Sequence, residues 1–545
     1  MGDNRDSNMI RGESGGKFIK GATILAVGGM VSKVLGAVFR IPLTNWIGAV
    51  GMSYYGMAYS VYSYFLIVAT AGLPVAIARM VSERVALGDY TNAHRTYRVS
   101  LYLMGSLGIA GFCICFFGAG WMADIMNNPG ATDSLKAIAP VLLLAPIVSS
   151  FRGYFQGQQN MVPTASSEVT EQMFRVIVGL ALSFILVKKS LKLASAGATF
   201  GASAGSFAAL ILLSVIYYKT RKSRKKRLET CSAKPESNKG LLKELLAIAV
   251  PITIGSTILP IMMLIDSLLI IRRLEATGWS HHMAKTLYGI ISGFCDPLIG
   301  FPQVFTIAVA VSLVPAVTEA FTKKNEDNLH KNIQISIKTM MVISFPCMVG
   351  LIVLAQPILL LLYPSQRATA ILATSTLQVL SIGVVGLSIL RTFSSALQGI
   401  YKMAIPVINL TIGAVAKIIL TYILVGIPFF NVNGAALGNV VAYFIAAVLN
   451  YKAVRKYTGT HIDVKDTFVK PFIASLIMGA ATFAVYKASM MLIGSNGVST
   501  LLSIVIAIFV YALVAFRMKC IGEEELLTVP KGEKIIKIAR RLRLM

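Results

Sequence analysis

Charged residues are scarce in this chain. They make up 14% of its 545 residues, against 55% hydrophobic residues, whereas a soluble globular protein carries about a quarter charged residues. The apolar residues fall in runs of about twenty, which is the length that crosses a hydrocarbon core of about 30 Å. Short segments of alternating polarity, which a membrane β-barrel requires, are not visible. A soluble protein and a barrel are therefore excluded, and we expect an all-α integral membrane protein.

The sequence also lacks the usual signatures of enzymes. Residues 12–17 (Gly-Glu-Ser-Gly-Gly-Lys) have neither the glycine spacing nor the Ser or Thr of a phosphate-binding loop. All five histidines fall in or near predicted loops, which argues against a histidine proton relay through the membrane. The six cysteines show no paired framework. We therefore expect that the protein is not an enzyme and has no cofactor. Transport would then be driven by Na⁺ or H⁺ coupling, by the membrane potential or by the cargo's own gradient.

The apolar runs predict about fourteen transmembrane helices. The first run, residues 21–43, is too long for the apolar part of a signal peptide, so no cleavable signal is expected. An even number of spans puts both termini on one side of the membrane. If that side is the cytoplasm, most of the 51 Lys and Arg residues lie there, as the positive-inside rule requires. The sequence thus predicts a multi-pass protein of the cytoplasmic membrane with both termini inside.

A basic run at residues 219–227 follows the sixth predicted span. We interpret it as a topology determinant that contacts anionic lipid headgroups, with a specific cytosolic partner or nucleic acid as the alternative. The predicted organisation is an N-lobe of six spans (1–218), a basic cytoplasmic linker (219–240), a C-lobe of six spans (241–457), two further spans (458–518) and a cytoplasmic tail (519–545). The tail carries basic residues among Ile and Leu, which predicts an amphipathic helix on the inner leaflet.

The two predicted lobes share sequence features in the same order. Residues 156–161 and 398–403 both read Gln-Gly-x-x-x-Met, after the fourth span of each lobe. Fourteen residues after each Met comes a basic residue, Arg175 or Lys417, and the sixth span of each lobe begins with Gly-Ala-x-x-Gly (197–201 and 434–438). This order predicts a duplication into parallel repeats, an arrangement in which transporters bind cargo between the halves and alternate access.

Several ionisable residues of the first lobe fall inside predicted spans, where each needs a partner or a polar cavity. Lys33 and Arg40 are two helical turns apart, about 10 Å along one face of span 1. Arg152 ends span 4, and Glu171 and Arg175 share a face of span 5 with the i,i+4 spacing of an ion pair. These residues predict a ladder of cations through the membrane. In the alternative, Arg40 and Arg152 reach to the interface and Glu171 with Arg175 is a structural pair.

The second lobe contains four comparable residues, Asp266, Asp296, Arg391 and Lys417. Asp266 falls among Met and Leu residues in span 7. A buried carboxylate at this depth is an ion ligand, a proton acceptor or the partner of Lys417 or Arg391, and the sequence leaves these three roles open.

Several of these segments resemble one family of transporters. They are Ser32-Lys33-Val34-Leu35-Gly36 with Arg40, Ala71-Gly72-Leu73-Pro74, Arg152-Gly153-x-x-Gln156-Gly157, and Pro163-Thr164-Ala165 with Glu171-Gln172 and Arg175. Together they are similar to the multidrug/oligosaccharidyl-lipid/polysaccharide exporter (MOP) superfamily, in the branch of polysaccharide-biosynthesis and stage V sporulation B proteins, which is related to MurJ-type lipid II flippases.

The resemblance implies two six-helix lobes in a pseudo-twofold V-shaped arrangement around a cationic cavity, plus two C-terminal helices that form a groove for a polyprenyl tail. The essential basic residues of span 1 correspond to Lys33 and Arg40. Asp296 matches the acidic start of a charged segment in the flippases, but Pro297 and Gly300 replace the Arg and acid that follow there. The resemblance also implies a sodium site at an acidic residue of span 7, for which Asp266 is the candidate ligand in this chain.

The main functional hypothesis is a flippase for undecaprenyl-pyrophosphate-linked saccharides, with lipid II as one candidate cargo. A pyrophosphate needs basic groups to cross hydrocarbon, which the in-span cations provide. The alternatives are an ion-coupled drug or cation antiporter of the same superfamily and a non-transporting scaffold in spore-envelope assembly. The expected partners are a lipid-linked oligosaccharide and membrane lipids, without nucleic acid, and we expect a monomer in a bacterial cytoplasmic membrane.

Overall fold

The computed structural model describes the backbone of residues 3–231 and 233–520 and the side chains of residues 24, 25, 28–231 and 233–520. Of the predicted cytoplasmic tail (519–545), only Lys519 and Cys520 are among the described residues, and the amphipathic helix predicted in it lies outside them.

The described residues form nineteen α-helices and no β-strand, which confirms the all-helical prediction. The helices are α1 (Asp3–Thr70), α2 (Leu73–Ala86), α3 (Tyr90–Phe117), α4 (Ala119–Ile125), α5 (Thr132–Gly157), α6 (Val162–Leu186), α7 (Leu191–Lys219), α8 (Arg221–Glu229), α9 (Asn238–Ser256), α10 (Ile258–Ala276), α11 (His281–Gly289), α12 (Asp296–Thr322), α13 (Glu326–Val353), α14 (Ala355–Leu362), α15 (Arg367–Gly399), α16 (Ala404–Val425), α17 (Asn433–Thr458), α18 (Lys470–Ile493) and α19 (Asn496–Arg517). Short 3₁₀ turns cover Pro129–Ala131 and Pro364–Gln366, and π-helical turns cover Ile290–Cys295 and Lys465–Val469.

Twelve helical segments of the described chain are long and apolar enough to cross a membrane. A thirteenth results if α9 and α10, which are bent by 44° at their junction, count as one broken span. The segment Gly28–Ala86 contains most of the first predicted span and all of the second; its 59 residues would form a helix about 88 Å long, far more than one crossing needs. If this segment counts as two spans, the twelve segments give thirteen spans, and the broken span of α9 and α10 gives a fourteenth. The structure therefore agrees with the expectation of about fourteen spans.

The predicted seventh span, residues 245–271, is broken in the structure. It consists of the end of α9 and most of α10, with Thr257 between them. Pro260 is the third residue of α10, where a missing N–H is tolerated, whereas in a continuous helix its ring would clash with the Ser256 carbonyl group. The proline therefore explains why a new helix begins here.

The long helix α1 is interrupted at Gly48. This residue has φ 63° and ψ −172°, a conformation that only glycine adopts readily. In a continuous helix Arg40 and Tyr59 would lie about 28 Å apart along the axis, yet the Arg40 guanidinium carbon is 5.6 Å from the Tyr59 ring centroid. The chain therefore reverses at Gly48, and residues 28–47 and 49–70 form two arms that face each other.

Replacing Gly48 with alanine is expected to lower the free energy of unfolding by about 1–3 kcal/mol, because a Cβ atom strains this backbone conformation. Chemical unfolding in detergent measures the change. Gly29→Ala is the matched control, since Gly29 lies in the same helix and an added Cβ would have nothing within 4 Å. Equal stability of the two variants would show that the reversal does not depend on glycine.

The chain divides into two compact units, residues 1–268 and 269–545. Helix α9 packs on α2 and α3, so it belongs to the first unit although it follows the basic linker. The first unit has a core that includes Tyr97, Met104, Phe151, Leu213 and Leu245. The second unit has its own core, with contributions from Leu313, Ile337, Met341, Phe393 and Met478.

The two units repeat the same order of elements. In the first, α3 is followed by the short α4, a 3₁₀ turn that begins with Pro129, and the long α5; in the second, α13 is followed by the short α14, a 3₁₀ turn that begins with Pro364, and the long α15. The first helix of each series is capped alike, because Asp89 accepts a hydrogen bond from the Asn92 N–H and Asn325 accepts one from the Asn328 N–H. This agreement supports the predicted duplication.

The repeated Gln-Gly-x-x-x-Met motif ends a helix in both units. Helix α5 ends at Gly157 and α15 at Gly399. A Cβ atom on Gly157 would lie 2.6 Å from the Val81 Cβ, and one on Gly399 would lie 2.6 Å from the Val317 Cγ1. The glycines are therefore needed where each long helix touches its neighbour.

Candidate functional site

An ion pair joins α5 and α6 in the first unit. The Arg152 Nη2 donates to the Glu171 Oε2 at 2.9 Å, and the Arg152 Nε donates to the Ser167 Oγ at 2.9 Å. From α7, the Ser206 hydroxyl donates to the other carboxylate oxygen of Glu171 at 3.0 Å. Both charged side chains are 17% exposed. A pair this far from water is stable only when its remaining hydrogen-bonding groups are satisfied, and the two serines meet that need.

Glycines on α7 bring the backbone of α6 into this position. A Cβ atom on Gly201 would lie 2.6 Å from the Arg175 carbonyl oxygen, and one on Gly205 would lie 2.3 Å from the Glu171 carbonyl oxygen. Small residues let transmembrane helices approach at backbone distance. Gly201, the last residue of the predicted glycine motif, and Gly205, one turn beyond that motif, thus set the height and orientation of the charged face of α6.

The alternative in which Glu171 and Arg175 form a structural ion pair is contradicted by the structure. The carboxylate pairs with Arg152 on the neighbouring helix, because that guanidinium reaches it in bonded geometry. Arg175 remains an electrostatic neighbour of Glu171, but its other neighbours are Tyr55, Tyr59 and Tyr62. The Arg175 Nε is buried and has no hydrogen-bond acceptor among the described residues.

The three tyrosines form a ladder on the second arm of α1. The Tyr55 and Tyr59 rings stack at 5.8 Å, and the Tyr59 and Tyr62 rings lie 5.4 Å apart. Arg40, on the first arm, places its guanidinium 6.0 Å from the Tyr55 ring and 5.6 Å from the Tyr59 ring, within cation–π range. Arg40 and Arg175 therefore face the same aromatic ladder.

Lys33 lies on the same helix face as Arg40. An added Cβ on Gly28 would lie 3.1 Å from the Ala165 Cβ, and one on Gly36 would lie 3.4 Å from the Gln172 Nε2. The first arm of α1 therefore runs alongside α6 in the same direction, and Lys33 stands near the level of the α6 turn before Gln172. Its side chain is exposed.

The structure thus gathers four predicted site residues, Arg40, Arg152, Glu171 and Arg175, in one cluster of the first unit. Glu168, an electrostatic neighbour of Arg152 and Glu171, joins them. We call this group, with Tyr55, Tyr59, Tyr62, Ser167 and Ser206, the cationic cluster. It holds three arginines against two carboxylates, and Lys33 on the same arm of α1 adds a fourth basic residue.

The tyrosine ladder was missed at the sequence level. Tyr55, Tyr59 and Tyr62 are spaced i, i+4 and i+7, which places them on one face of a helix. This spacing is the signal that identifies them. The serines carry no comparable signal, since a Ser inside a transmembrane helix most often bonds to its own backbone.

The basic residue that repeats Arg175 in the second unit is enclosed by its neighbours. Lys417 on α16 is 2% exposed. A Cβ atom on Gly438 would lie 2.8 Å from the Thr421 Oγ1 and 3.4 Å from the Lys417 carbonyl oxygen. The contact of α16 with α17 therefore repeats that of α6 with α7.

The remaining predicted residues are dispersed. Arg391, on α15, has a buried Nη1 without a hydrogen-bond acceptor among the described residues, and Tyr443 is its electrostatic neighbour. Asp296 is the half-buried first residue of α12, directly after a π-helical turn. Asp266 is half-buried on α10. No group of three or more His, Cys, Asp or Glu side chains within the described ranges is placed to hold a metal ion.

Two family models match the chain. Residues 18–321 match the model described as polysaccharide biosynthesis protein. Residues 251–423 match the model described as MatE.

Similar proteins in Bacillus subtilis (strain 168) cover nearly the whole chain. The membrane protein YabM is 31% identical over 534 residues, which is 96% of both chains. The lipid II flippase MurJ is 29% identical and covers 85% of this chain and 88% of its own. Stage V sporulation protein B is 28% identical and covers 94% of this chain and 98% of its own.

Solved structures show the same fold. An inward-facing multidrug resistance MATE family transporter of the MOP superfamily matches with a TM-score of 0.67 at 16% identity, over 78% of this chain and 94% of its own. The lipid II flippase MurJ in an inward closed conformation matches with a TM-score of 0.64 at 18% identity, over 90% of this chain and 98% of its own. The resemblance found in the sequence is confirmed: the chain belongs to the polysaccharide biosynthesis protein family and is a multi-pass membrane protein with the fold of MOP-superfamily transporters.

Proposed function

We propose that this transporter is a flippase that moves an undecaprenyl-pyrophosphate-linked saccharide from the inner to the outer leaflet of a bacterial cytoplasmic membrane by alternating access, with both termini in the cytoplasm. Lipid II is the first cargo to test, because a relative that matches most of the chain is a lipid II flippase. The relation to stage V sporulation protein B makes related lipid-linked glycans the next candidates.

The observation that carries the proposal is the environment of Arg175. The Arg175 side chain is half-buried, and removing part of a charged group from water costs free energy unless an anion compensates it. The nearest carboxylate, Glu171, is already bonded to Arg152 and Ser206, and the Arg175 Nε has no acceptor in the described part of the chain. A phosphate oxygen of the cargo would supply that acceptor, and a guanidinium binds phosphate with charge-assisted hydrogen bonds.

The rest of the cationic cluster suits the same cargo. Arg40 is positioned by the faces of Tyr55 and Tyr59, so little side-chain entropy is lost when it meets an anion. The tyrosine hydroxyl groups can hydrogen-bond to a sugar, and their rings can pack against its apolar face. The excess of basic over acidic groups favours an anion over a cationic drug.

Neutralising Lys33 and Arg175 together is expected to abolish transport. Each lost charged hydrogen bond is worth about 1.5–3 kcal/mol, which corresponds to a rate decrease of about tenfold or more for each residue. The assay is complementation of a bacterium depleted of its own lipid II flippases, with surface-accessible lipid II as the readout. The double variant is Lys33→Gln/Arg175→Gln, and its abundance in the membrane fraction reports insertion.

The matched control is Lys188→Gln/Lys189→Gln, which removes the same charge from exposed residues between α6 and α7. This variant should keep full activity. If the cluster variant also complements fully, or if the unaltered protein raises no lipid-linked saccharide to the surface, the flippase proposal is wrong.

A second candidate, an ion-coupled drug or cation antiporter, is favoured by the match of residues 251–423 to the MatE model. It depends on an acidic rather than a basic group. Drug efflux that is lost in Asp266→Asn and retained in Lys33→Gln would support this candidate and count against the first.

A further inference from the structure

A cavity of about 250 Å³ lies in the first unit, where the basic helix α8 packs near the ends of α3, α5 and α7. The residues that line this cavity and the residues of the cationic cluster do not overlap. Because one water occupies about 30 Å³, the cavity has room for a phosphate together with a small attached group such as glycerol. None of its lining residues is acidic, and two are arginines, Arg224 and Arg227.

Arg224 is held in place at the cavity. Its guanidinium carbon lies 3.6 Å from the Tyr217 ring centroid, and its Nη1 donates to the Tyr217 carbonyl oxygen at 3.0 Å. These contacts leave the Nε and the Nη2 without a bonded acceptor in the described residues. A guanidinium fixed by one face and one nitrogen, with two donors remaining, has the geometry that binds a phosphate through two parallel hydrogen bonds.

Arg227 adds a second positive charge one helical turn further on. It lies 5.5 Å from the centroid of the Tyr90 ring, which also lines the cavity. The ion pair of this helix is between the exposed side chains of Lys225 and Glu229. Within the described ranges, neither Arg224 nor Arg227 has a carboxylate within ion-pair distance, so the cavity has an uncompensated charge.

Polar side chains of the turn after α5 complete the cavity wall. Gln158 and Asn160 line it together with Ser223 of α8. Gln158 and Asn160 belong to the first Gln-Gly-x-x-x-Met motif, and in the second motif the same positions are Ile400 and Lys402. The Lys402 Nζ lies 5.0 Å from the Tyr457 ring centroid. At these two positions the turn therefore carries neutral amide side chains in the first unit, and an apolar and a basic side chain in the second.

We propose that this cavity is a binding site for a phosphate group, with Arg224 and Arg227 as the cationic ligands and Gln158, Asn160 and Ser223 as neutral donors. The phosphate can belong to a lipid headgroup or to a small soluble molecule. This site is independent of the proposed cargo, because the cationic cluster can carry a lipid-linked saccharide whether or not the cavity is occupied.

The test is binding to the full-length protein in nanodiscs. In one arm, nanodiscs of phosphatidylcholine are titrated with inorganic phosphate and with glycerol 3-phosphate by calorimetry. In the other arm, phosphatidic acid is added to the phosphatidylcholine, and native mass spectrometry measures the retained lipid. Saturable binding in the first arm identifies a soluble ligand, and retention in the second arm alone identifies a headgroup; each result supports the site.

Charge-matched variants distinguish a site from a generally basic surface. Arg224→Gln/Arg227→Gln should weaken binding at least tenfold, whereas Lys222→Gln/Lys226→Gln, on exposed positions of the same helix, should change it less than twofold. A diffuse attraction to anionic headgroups would fall equally in both variants, because each basic residue contributes about the same to it. Equal losses, or no saturable binding of any probe, would overturn the proposal.

A further variant guards against loss of the fold. Ser223→Glu changes one exposed residue of α8 and places a carboxylate at the cavity wall. It should also weaken binding at least tenfold, with an unchanged size-exclusion profile. Unaltered binding in this variant would count against the site.

Discussion

Replacing Glu171 with alanine is expected to lower the free energy of unfolding by about 3–5 kcal/mol, because removing one member of a buried ion pair leaves the other charge uncompensated. In this variant both Arg152 and Arg175 lose the carboxylate between them, and Glu168 is the acidic group that remains in the cationic cluster. The measurement is chemical unfolding in detergent, followed by a signal that reports the first unit.

Arg152→Ala should cost less than Glu171→Ala. When Arg152 is removed, Glu171 keeps the Ser206 hydroxyl at 3.0 Å and still has Arg175 as an electrostatic neighbour one helical turn away. The double variant should be more stable than the sum of the single changes predicts, with a coupling free energy of about 1–3 kcal/mol. A full double-mutant cycle gives this value.

The control pair is Arg79 and Glu83, which are 2.8 Å apart but 64% and 50% exposed. Water screens such a pair, and its coupling is expected to be about 0.2–1 kcal/mol. If the Arg152–Glu171 cycle gives no more than this control, the cationic cluster is as well hydrated as an outer surface and the structural role of the pair is refuted.

This pair also shows what a single sequence can and cannot predict. Hydropathy located the spans, because the length of an apolar run is set by the thickness of the bilayer. The same reasoning located Arg152, Glu171 and Arg175 as unusual residues. Their partners depend on distances between helices, and the i,i+4 rule describes one helix only. It therefore suggested Arg175 for Glu171, whereas the structure pairs Glu171 with Arg152 on α5.

Two helix breaks in this part of the chain differ in how clearly the sequence signals them. In Ala71-Gly72-Leu73-Pro74 a glycine and a proline stand close together, which is a visible signal for a break, and α1 does end at Thr70 with α2 beginning at Leu73. Gly48 was not recognised, because a lone glycine in an apolar run is as common in a straight helix as at a reversal. The reversal matters for function, since it brings Arg40 to the tyrosine ladder.

Replacing Gly205 with alanine is expected to have the second large effect, on both stability and transport. The added Cβ would lie 2.3 Å from the Glu171 carbonyl oxygen and 3.3 Å from the Arg175 backbone nitrogen. Backbone atoms cannot rotate away, so α7 must move off α6. Overpacking of this kind costs about 1–3 kcal/mol, and the Ser206–Glu171 bond next to it would lengthen. We expect a lower unfolding midpoint and reduced surface lipid II in the complementation assay.

The opposite result is expected for Gly105→Ala, which makes this pair of variants decisive. Gly105 lies inside α3, and an added Cβ would have nothing within 4 Å. Alanine there removes the entropic cost of glycine in a helix and should stabilise the protein by about 0.5–1 kcal/mol without loss of transport. Since the two substitutions are chemically identical, a difference between them measures the helix contact alone. If Gly205→Ala matches Gly105→Ala in stability and transport, close packing of α7 on α6 does not position Glu171 and Arg175.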